Sequence, residues 1–458
     1  MNLTILLLYL LGQFAICYYI SKRIESEDDY LVAGRKLPLY MISISLFATW
    51  FGAETCIGSS AAVYESGISG SRADPFGYSL CLILSGLLIA PRLWSKKYFT
   101  LADLYRDRFG DSTQSLATWI LSLSSLIWAA AQLRAFGHVV SATTDLPVNL
   151  TLFLSFCFVL AYTTLAGLMG DVITDVIQGA IITIGLFVLL YLVLSQSGPI
   201  GDLLIAQQTG DRLSLIAPNE TWWERADRWA IPILGSLVAQ EIVARIFAAK
   251  SRSVAVIGCY SSAAIYLVVG SIPVALGLMG PHLIQVEGDS EQFLILLAQK
   301  YMPWFLVPVF AGALISALLA TIDSILLSVG ALVAHNVLIP ALKVTEENKK
   351  LRLNRTVVVV AGVVAYVMAI YSEGIYELLE TASSFGTSGI LIITILGLWS
   401  KWGCNRTATV TLITGLVATP VGEYIFKVPS PFLVSIAVSL MVFFAMSLVK
   451  PKAASSPS

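Results

Sequence analysis

The sequence predicts an all-α polytopic membrane protein with about 13 transmembrane helices. Hydrophobic residues make up 57% of the 458 positions and charged residues only 12%, and the mean hydropathy is +0.81. The apolar residues form repeated stretches of about 20 residues, which is the length of helix that crosses roughly 30 Å of hydrocarbon. A net charge of −1 gives no indication of a nucleic acid partner.

Hydropathy delimits thirteen candidate spans. The first, 3–21, has no basic residue before it and is followed by Lys22 and Arg23, which reverses the charge order of a secretory signal peptide. It is therefore expected to stay in the membrane, with a cytoplasmic loop up to residue 38. The other spans are 39–63, 75–95, 114–143, 148–168, 173–196, 228–248, 254–279, 303–335, 355–371, 376–399, 407–425 and 430–449.

The basic residues between these spans predict the orientation. If the N-terminus lies outside, 21 lysines and arginines fall on the cytoplasmic side and six on the outer side, with Arg134 left inside a span. Positive charge accumulates on the cytoplasmic side of membrane proteins. We therefore expect a multi-pass protein of the plasma (inner) membrane, with its N-terminus outside and its C-terminus in the cytoplasm.

Several function classes are disfavoured. His138, His282 and His335 lie far apart, and no nucleophile–base motif is present, so an enzyme is not expected. The six cysteines are scattered singly, without the spacing of a disulfide framework or a zinc site. A sensor on a membrane scaffold is disfavoured by the short tails. Transport of a small molecule across the lipid bilayer is the leading interpretation, with no organic cofactor and no obligate protein partner.

Charged side chains within membrane spans are costly and usually face a cavity or a partner. Asp171 and Asp175 lie near the start of their span, where helix capping and a functional role are about equally expected. Glu241 lies four residues before Arg245, so an ion pair within the helix is the simpler interpretation. Glu54 lies in mid-span beside Gly52, where neither explanation applies.

A second polar face lies in the stretch FAGALISALLATIDSILLS, residues 310–328. Helical spacing puts Ala317, Ala320, Thr321 and Ser324 on one face. Small and hydroxyl residues on a membrane helix commonly mediate helix packing. The alternative is a cation site, in which the Thr321 hydroxyl joins backbone carbonyls freed by a helix interruption near Gly52. The residues alone leave both interpretations open.

Six motifs give the chain a family resemblance that covers nearly its whole length. They are DDYLVAGRKLP (28–38), SLFATWFGAETCIG (45–58), TLADLYRDRFG (100–110), TLAGLMGDVITDVIQG (164–179), ARIFAAKS (244–251) and LLATIDSILLS (318–328). In this order they resemble the sodium:solute symporter family. The resemblance implies an inverted repeat of two five-helix bundles, the leucine-transporter-type fold, in which the first helix of each repeat is broken.

Mapped onto this chain, the resemblance divides it into three parts. Residues 1–38 form an N-terminal extra helix and loop. Residues 39–399 form the ten-helix transporter core, with repeats at 39–196 and 228–399. Residues 400–458 form two C-terminal extra helices and a short cytoplasmic tail. Pro232 and Gly235 suit a broken helix at the start of the second repeat.

The resemblance also implies a sodium site. Its ligands would be the backbone carbonyls of Ala48, Phe51 and Ala317, with side-chain oxygens from positions 320 and 321. Members of the family usually carry two adjacent hydroxyl residues there, whereas this chain has Ala320 followed by Thr321. Sodium would then bind more weakly, recruit water or be replaced by a proton. Asp175 matches an acidic residue that the family associates with sodium release.

Within the family, the chain is most similar to the high-affinity choline transporter-like subgroup. Trp50, Tyr78 and Trp128 match aromatic residues of the substrate cage in that subgroup. A further tryptophan of the cage would fall at Ala239, and the subgroup has glycine at the position of Glu54. Aromatic faces attract ammonium groups. A substrate site at Trp50, Glu54, Tyr78 and Trp128 is therefore predicted.

The substrate prediction is a small organic solute: an amine, a quaternary ammonium compound or an amino-acid-like molecule. Arg134 would favour an amino acid if it bound the substrate carboxylate. It lies six residues beyond Trp128, however, and six steps of about 100° turn it away from that face. Pairing with Asp74 or another acid near the outer end is the simpler expectation. The alternatives are proton-coupled transport, or uptake of a sugar or an organic anion.

Overall fold

The structure is a computed structural model, and it describes residues 3–144, 146–198, 210–286, 290–372 and 382–448. Within these ranges the secondary structure is helical, apart from one bridge between Leu37 and Ala249. An all-helical membrane protein is expected physically, because a helix satisfies its own backbone hydrogen bonds in lipid. The predicted span at 376–399 and the predicted C-terminal part at 400–458 extend into residues 373–381 and 449–458, which lie outside the described residues.

The described chain begins with two N-terminal helices, α1 (Leu3–Ser21) and α2 (Glu27–Val32). It continues with α3 (Leu39–Trp50), a π-helical turn (Glu54–Gly58) and α4 (Ser59–Ser66). After a second π-helical segment (Arg72–Gly77) come α5 (Tyr78–Leu84), α6 (Ala90–Leu93), α7 (Leu101–Arg108), α8 (Asp111–Thr144) and α9 (Val148–Ser197).

The next helices are α10 (Trp222–Ala230) and, after a π-helical turn (Ile231–Gly235), α11 (Gln240–Ala248). The chain continues with α12 (Arg252–Leu283), α13 (Phe293–Tyr301), α14 (Val307–Gly330) with a π-helical extension (Ala331–Leu338), α15 (Glu347–Tyr371) and α16 (Thr387–Trp399). The last two helices are α17 (Asn405–Pro420) and α18 (Pro431–Leu448).

Helix α14 occupies the centre of the bundle, between α8 and α9. Its side chains are buried almost without exception from Phe310 to Gly330. By contrast, α15 exposes valines at positions 359, 360, 363, 364 and 367, as expected of a helix that faces lipid. The polar face of residues 310–328 therefore points into the protein.

Helix α9 contains a sharp break at Gly167, where φ is +54°. A Cβ at this position would lie 2.6 Å from the carbonyl oxygen of Tyr30. Glycine is therefore needed both for the left-handed backbone and for the close approach of α2. The break separates Val148–Leu165 from Gly167–Ser197, in agreement with two predicted spans.

Ten helices of the described part are long and apolar enough to cross a membrane, or eleven if one bent pair counts as a single span. Helix α3 has only 12 residues because the chain breaks at its end, and it falls below that length. The count of thirteen spans therefore stays a prediction.

Candidate functional site

The first helix break lies at the end of α3. Phe51 leaves the helical conformation with ψ of +63°, and the chain becomes helical again from Ala53. A Cβ on Gly52 would lie 2.6 Å from Oε1 of Gln132 and 2.7 Å from Oγ1 of Thr321. The Ala53 N–H donates to the same Gln132 oxygen at 2.8 Å. The predicted interruption near Gly52 is present, and α8 and α14 close on it from two sides.

The five predicted cation ligands lie on facing sides of α3 and α14, and all five residues are buried: Ala48, Phe51, Ala317, Ala320 and Thr321. The two helices are joined beside them by Thr49 and Ser324, whose hydroxyl oxygens are 3.2 Å apart. The Thr321 hydroxyl donates to the Ala317 carbonyl at 3.3 Å. Carbonyls and a hydroxyl are oxygen ligands suited to a hard cation, and Ala320 adds only a methyl group.

The three predicted aromatic residues form one cluster. The ring centroids of Trp50 and Tyr78 are 5.4 Å apart, those of Trp50 and Trp128 are 6.2 Å apart, and those of Tyr78 and Trp128 are 6.3 Å apart. At these distances the rings contact one another. A ligand would therefore lie against the cluster unless the rings moved apart.

Glu54 is held beside this cluster. Its carboxylate accepts 2.8 Å and 2.5 Å hydrogen bonds from the indole N–H of Trp128 and the amide of Gln132. Gln132 thus contacts both the helix break and the carboxylate. Glu54 is 7% exposed, and within the described part of the chain its partners are neutral. A buried charge is costly unless it is paired, so this position favours a cationic ligand.

The second helix break lies between α10 and α11. Trp222–Val238 and Gln240–Ala248 meet at 45°, and Ala239 is extended, with φ −61° and ψ 130°. The predicted broken helix is present, but its break comes four residues after Gly235. Pro232 and Gly235 lie in the π-helical turn just before it.

A cavity lies between Trp128 and this second break. Ala239 leaves space where the choline transporter-like subgroup would have a tryptophan. Polar side chains of three helical segments face the cavity, and Glu241 accepts a 3.3 Å hydrogen bond from Ser125 there. The lining residues are Leu121, Ser124, Ser125, Trp128, Gly235, Ser236, Val238, Ala239, Gln240, Glu241, Ala382, Ser383 and Thr387.

Sequence reasoning missed the polar lining of this cavity. Ser236 Oγ and Gln240 Nε2 are buried there without a hydrogen-bond partner, so they are available to a ligand. One signal was present in the sequence, because Ser124 and Ser125 precede Trp128 by one helical turn and share its face.

The prediction that Arg245 pairs with Glu241 was wrong. The contact of the guanidinium with Glu241 is a 3.2 Å hydrogen bond to the backbone carbonyl and not to the carboxylate. Its ionic partners are Asp171 and Asp175, at 2.8 Å and 2.9 Å. A single buried cation between two carboxylates gains more than a pair within one helix, so the distant partners prevail.

This cluster, which we call the Arg245 cluster, joins four helices. Arg245 of α11 also contacts Ser45 of α3 at 2.8 Å and Ser324 of α14 at 2.6 Å, and the aspartates belong to α9. Ser45 and Thr49 both donate to Asp175. Asp175 is therefore linked through Thr49 to the helix face that carries the predicted cation ligands.

Of the two kinds of partner suggested for Arg134, Asp74 was wrong, whereas another acid near the outer end stays a prediction. Arg134 donates to the backbone carbonyl of Ala369 at 3.1 Å. Asp74 Oδ2 instead forms hydrogen bonds with the hydroxyl groups of Thr55 and Tyr266, at 2.7 Å and 2.8 Å. Arg134 is thus directed toward α15 and away from the aromatic cluster.

Both ends of the bundle carry polar contacts. At the predicted outer end, the buried pair Arg72 and Glu220 is 2.5 Å apart. At the predicted cytoplasmic end, His335 lies 3.0 Å from Glu27 and 3.5 Å from Asp103. Burial raises the pKa of Asp103, but its bonds to His335 and to backbone N–H groups outweigh burial and leave that pKa below its usual value.

Comparison with known proteins places these features in a family. A sequence model of the sodium:solute symporter family matches residues 30–415. The high-affinity choline transporter 1 of Drosophila melanogaster is 28% identical over 78% of this chain, which spans only 60% of that relative's length. The sodium/glucose cotransporter of Vibrio parahaemolyticus is 25% identical over 86% of this chain and 78% of its own.

Among solved structures, a sodium-coupled sialic acid symporter in a substrate-bound, outward-open state superimposes with a TM-score of 0.87. The match covers 98% of both chains at 17% sequence identity. The predicted fold class, an all-helical membrane transporter of the leucine-transporter type, is thereby confirmed. With a family match over most of its length, the chain belongs to the sodium:solute symporter family.

Proposed function

We propose that the protein is a sodium-coupled symporter that imports a small, amine-bearing solute across the plasma membrane by alternating access. The observation that carries the proposal is the buried Glu54 carboxylate. It lies against three aromatic rings at a helix break, and neutral donors alone hold it. A carboxylate beside aromatic faces attracts an ammonium group both by charge and by cation–π interaction.

The proposed substrate site consists of Trp50, Glu54, Tyr78 and Trp128 together with the cavity between Trp128 and the second helix break. The ammonium group would lie near Glu54 and the ring faces. The rest of the solute would extend past Ala239, where Ser236 and Gln240 have unused hydrogen-bonding groups. This arrangement favours an amine with a polar tail over a compact ammonium ion.

The proposed coupling ion is sodium, bound by the carbonyls of Ala48, Phe51 and Ala317, the Thr321 hydroxyl and position 320. A cation there would hold the broken end of α3 against α14. Asp175 would accept the ion on its way to the cytoplasm, since Thr49 links it to this site. The membrane potential adds roughly 2.3 kcal/mol per charge per 100 mV, which is enough for accumulation driven by one ion.

Uptake by proteoliposomes that contain the purified protein tests this function. Radiolabelled choline, a primary amine with a hydroxyl tail and glucose would each be offered under an inward sodium gradient, an inward proton gradient or neither. Sodium-driven uptake of an amine supports the proposal. Uptake that follows the proton gradient and ignores sodium would refute the coupling ion, and the absence of any solute-specific flux would favour a sensor.

A sugar is the second candidate substrate. Hydroxyl side chains of Ser125, Ser236 and Thr387 line the cavity, and sugars combine such hydrogen bonds with stacking on aromatic rings. Competition distinguishes the two classes. Neutral sugars that compete at saturable levels where amines do not would replace the amine proposal with this one.

A further inference from the structure

A second polar cluster lies on the outer side of the first helix break, and neither the proposed sodium site nor the proposed substrate site includes it. It consists of Asp74, Thr55, Tyr266 and the backbone carbonyl of Trp50. Asp74 is only 3% exposed and Tyr266 is fully buried. The residues come from four segments: the end of α3, the π-helical turns at 54–58 and 72–77, and α12.

The oxygen atoms of this cluster are packed at hydrogen-bond distances. Thr55 Oγ1 lies 2.7 Å from Asp74 Oδ2 and 2.7 Å from the Tyr266 hydroxyl. The Tyr266 hydroxyl lies 2.8 Å from Asp74 Oδ2 and 3.0 Å from the Trp50 carbonyl oxygen. Each of these four separations lies within the range of an O–H···O hydrogen bond.

The side chains supply too few hydrogens. Thr55 and Tyr266 carry one hydroxyl hydrogen each, and an ionised carboxylate carries none. Two hydrogens therefore serve four short separations. A proton on Asp74 Oδ2 supplies a third hydrogen. Asp74 can then donate to Thr55, Thr55 to Tyr266, and Tyr266 to the Trp50 carbonyl at the helix break, while the separation between Tyr266 and Asp74 Oδ2 closes the triangle of oxygens.

The second carboxyl oxygen gives independent evidence. Asp74 Oδ1 is buried and has no hydrogen-bond partner among the described residues. An unpaired oxygen of a charged carboxylate is far more costly to bury than the carbonyl oxygen of a neutral carboxylic acid. A proton on Asp74 Oδ2 therefore explains both the short contacts of Oδ2 and the burial of Oδ1 without a partner.

The charges around Asp74 also favour a proton. The titratable groups that interact with it electrostatically are Glu54 and Cys56 from the π-helical turn, Tyr78 from α5 and Tyr266 from α12. None of them is basic. Arg72, two residues earlier, is bonded to Glu220 instead. Within the part of the chain that the structure describes, the other charged neighbour is Glu54, which is negative and disfavours a second negative charge.

A metal cation fits the cluster poorly. A cation such as calcium, which is close to sodium in size, holds its oxygen ligands at about 2.3–2.6 Å, and in a six-coordinate site this puts neighbouring ligands roughly 3.3 Å or more apart. The separations of 2.7 to 3.0 Å in this cluster are shorter. They match hydrogen bonds and leave no central space for an ion.

We propose that Asp74 is a proton-binding site, which keeps its proton on Oδ2 while the outer half of the protein is closed and releases it to water on the outer side when that half opens. A role of this proton in coupling rests on the proposed transport function. The Arg72–Glu220 pair, which lies between Asp74 and the predicted outer end, would have to separate first.

Infrared difference spectroscopy on the purified full-length protein tests the proposal without any substrate. At neutral pH we expect a C=O stretching band of a buried, protonated carboxyl group that is lost in Asp74→Asn and shifts in D2O. Asn is close in shape to a protonated Asp, so the variant should fold. Asp107→Asn, at a half-exposed carboxylate, is the matched control and should leave the band unchanged.

Two further spectra locate the proton. Tyr266→Phe shortens the hydrogen-bond chain and should shift the Asp74 band without removing it. The band should be equal in sodium and potassium buffers. An identical acid band in the wild type and Asp74→Asn would overturn the proposal, and so would loss of the band on addition of sodium. Failure of uptake would affect only the proposed transport function, because this readout needs no transport.

Discussion

Trp128 makes two separable contacts at the candidate site. Its ring lies against Trp50 and Tyr78, and its indole N–H donates to Glu54. Trp128→Ala removes both contacts, whereas Trp128→Phe keeps a ring and loses the donor. A hydrogen bond to a charged group contributes about 1.5–3 kcal/mol, so Trp128→Phe should weaken amine binding at least about tenfold and Trp128→Ala further. Half-saturating amine concentrations for uptake measure both effects.

The comparison needs two controls on the same helix. Trp119→Phe changes a tryptophan that faces outward and is 53% exposed, and it should leave uptake unchanged. Arg134→Lys should have a far smaller effect than Trp128→Ala, because Arg134 is directed toward Ala369. The reverse ranking of Arg134 and Trp128 would remove the aromatic cluster from the substrate site.

Substitutions at Ala320 and Thr321 should change the sodium concentration needed for half-maximal uptake in opposite directions. Thr321→Ala removes the one side-chain oxygen of the proposed sodium site and should raise the sodium concentration needed for half-maximal uptake. Ala320→Ser adds the missing hydroxyl and should lower it. Ser316→Ala is the control, since the Ser316 hydroxyl bonds to the Gly312 carbonyl of its own helix.

The sodium dependence of uptake by these variants tests whether Thr321 binds the coupling ion. If Thr321→Ala and Ser316→Ala have the same sodium dependence as the wild type, then Thr321 does not bind the ion. If Ala320→Ser has no effect while uptake follows pH, then a proton replaces sodium at this site.

Features that depend on neighbouring residues in the sequence could be predicted, whereas contacts between different helices could not. The interruption near Gly52 was predictable because a charged residue beside glycine does not suit an apolar helix. The partners of Arg245 were not, because the rule for residues four apart describes one helix alone.

At the scale of helices, the Arg245 cluster ties α3, α9, α11 and α14 together. Arg245→Gln leaves Asp171 and Asp175 buried without a cation. Removing one partner of a buried ion pair costs about 3–5 kcal/mol, so this variant should unfold at a clearly lower temperature in detergent. Arg252→Gln, at an exposed arginine close by in sequence, is the control.

A double variant separates charge from shape in this cluster. Arg245→Gln with Asp175→Asn removes one negative charge together with the positive one, so it should recover part of the lost stability. A double-mutant cycle reports that coupling directly. Purely additive losses would show that the two side chains contribute independently.

The break between α10 and α11 shows what the sequence does and does not decide for an element. Pro232 and Gly235 predicted a broken helix, and the helix is broken. The chain accommodates Pro232 in a π-helical turn, however, and becomes extended only at Ala239. The segment just before the break packs against α5 and α16, and the residue type at position 239 does not indicate the break.

At the scale of the whole molecule, orientation remains a prediction with a direct test. Asn219 and Lys349 are both exposed and lie in loops predicted to be outside and inside, respectively. In intact cells, a membrane-impermeant maleimide should label Asn219→Cys and not Lys349→Cys, in a background in which Cys157 and Cys404 are serine. Labelling of Lys349→Cys would invert the topology.

The overall architecture could be predicted because apolar length and motif order depend on composition along the chain. The number of spans could not be settled in the same way. A broken helix such as α3 is too short to qualify alone, although it crosses part of the bilayer together with α4. Hydropathy predicts one span at 39–63, whereas the backbone conformation divides this stretch into α3, a π-helical turn and α4.

The break at Gly52 also has a mechanical consequence. The helical stretch from Glu54 to Ser66 extends about 20 Å beyond it, at 1.5 Å per residue. Tilting this arm by about 10° about Phe51 would move its tip by roughly 3.5 Å, more than the width of a water molecule. The pivot itself hardly moves, because Gln132 and Thr321 clamp Gly52. A pathway to water can therefore open at the tip of the arm while the contacts at its pivot stay within hydrogen-bond range.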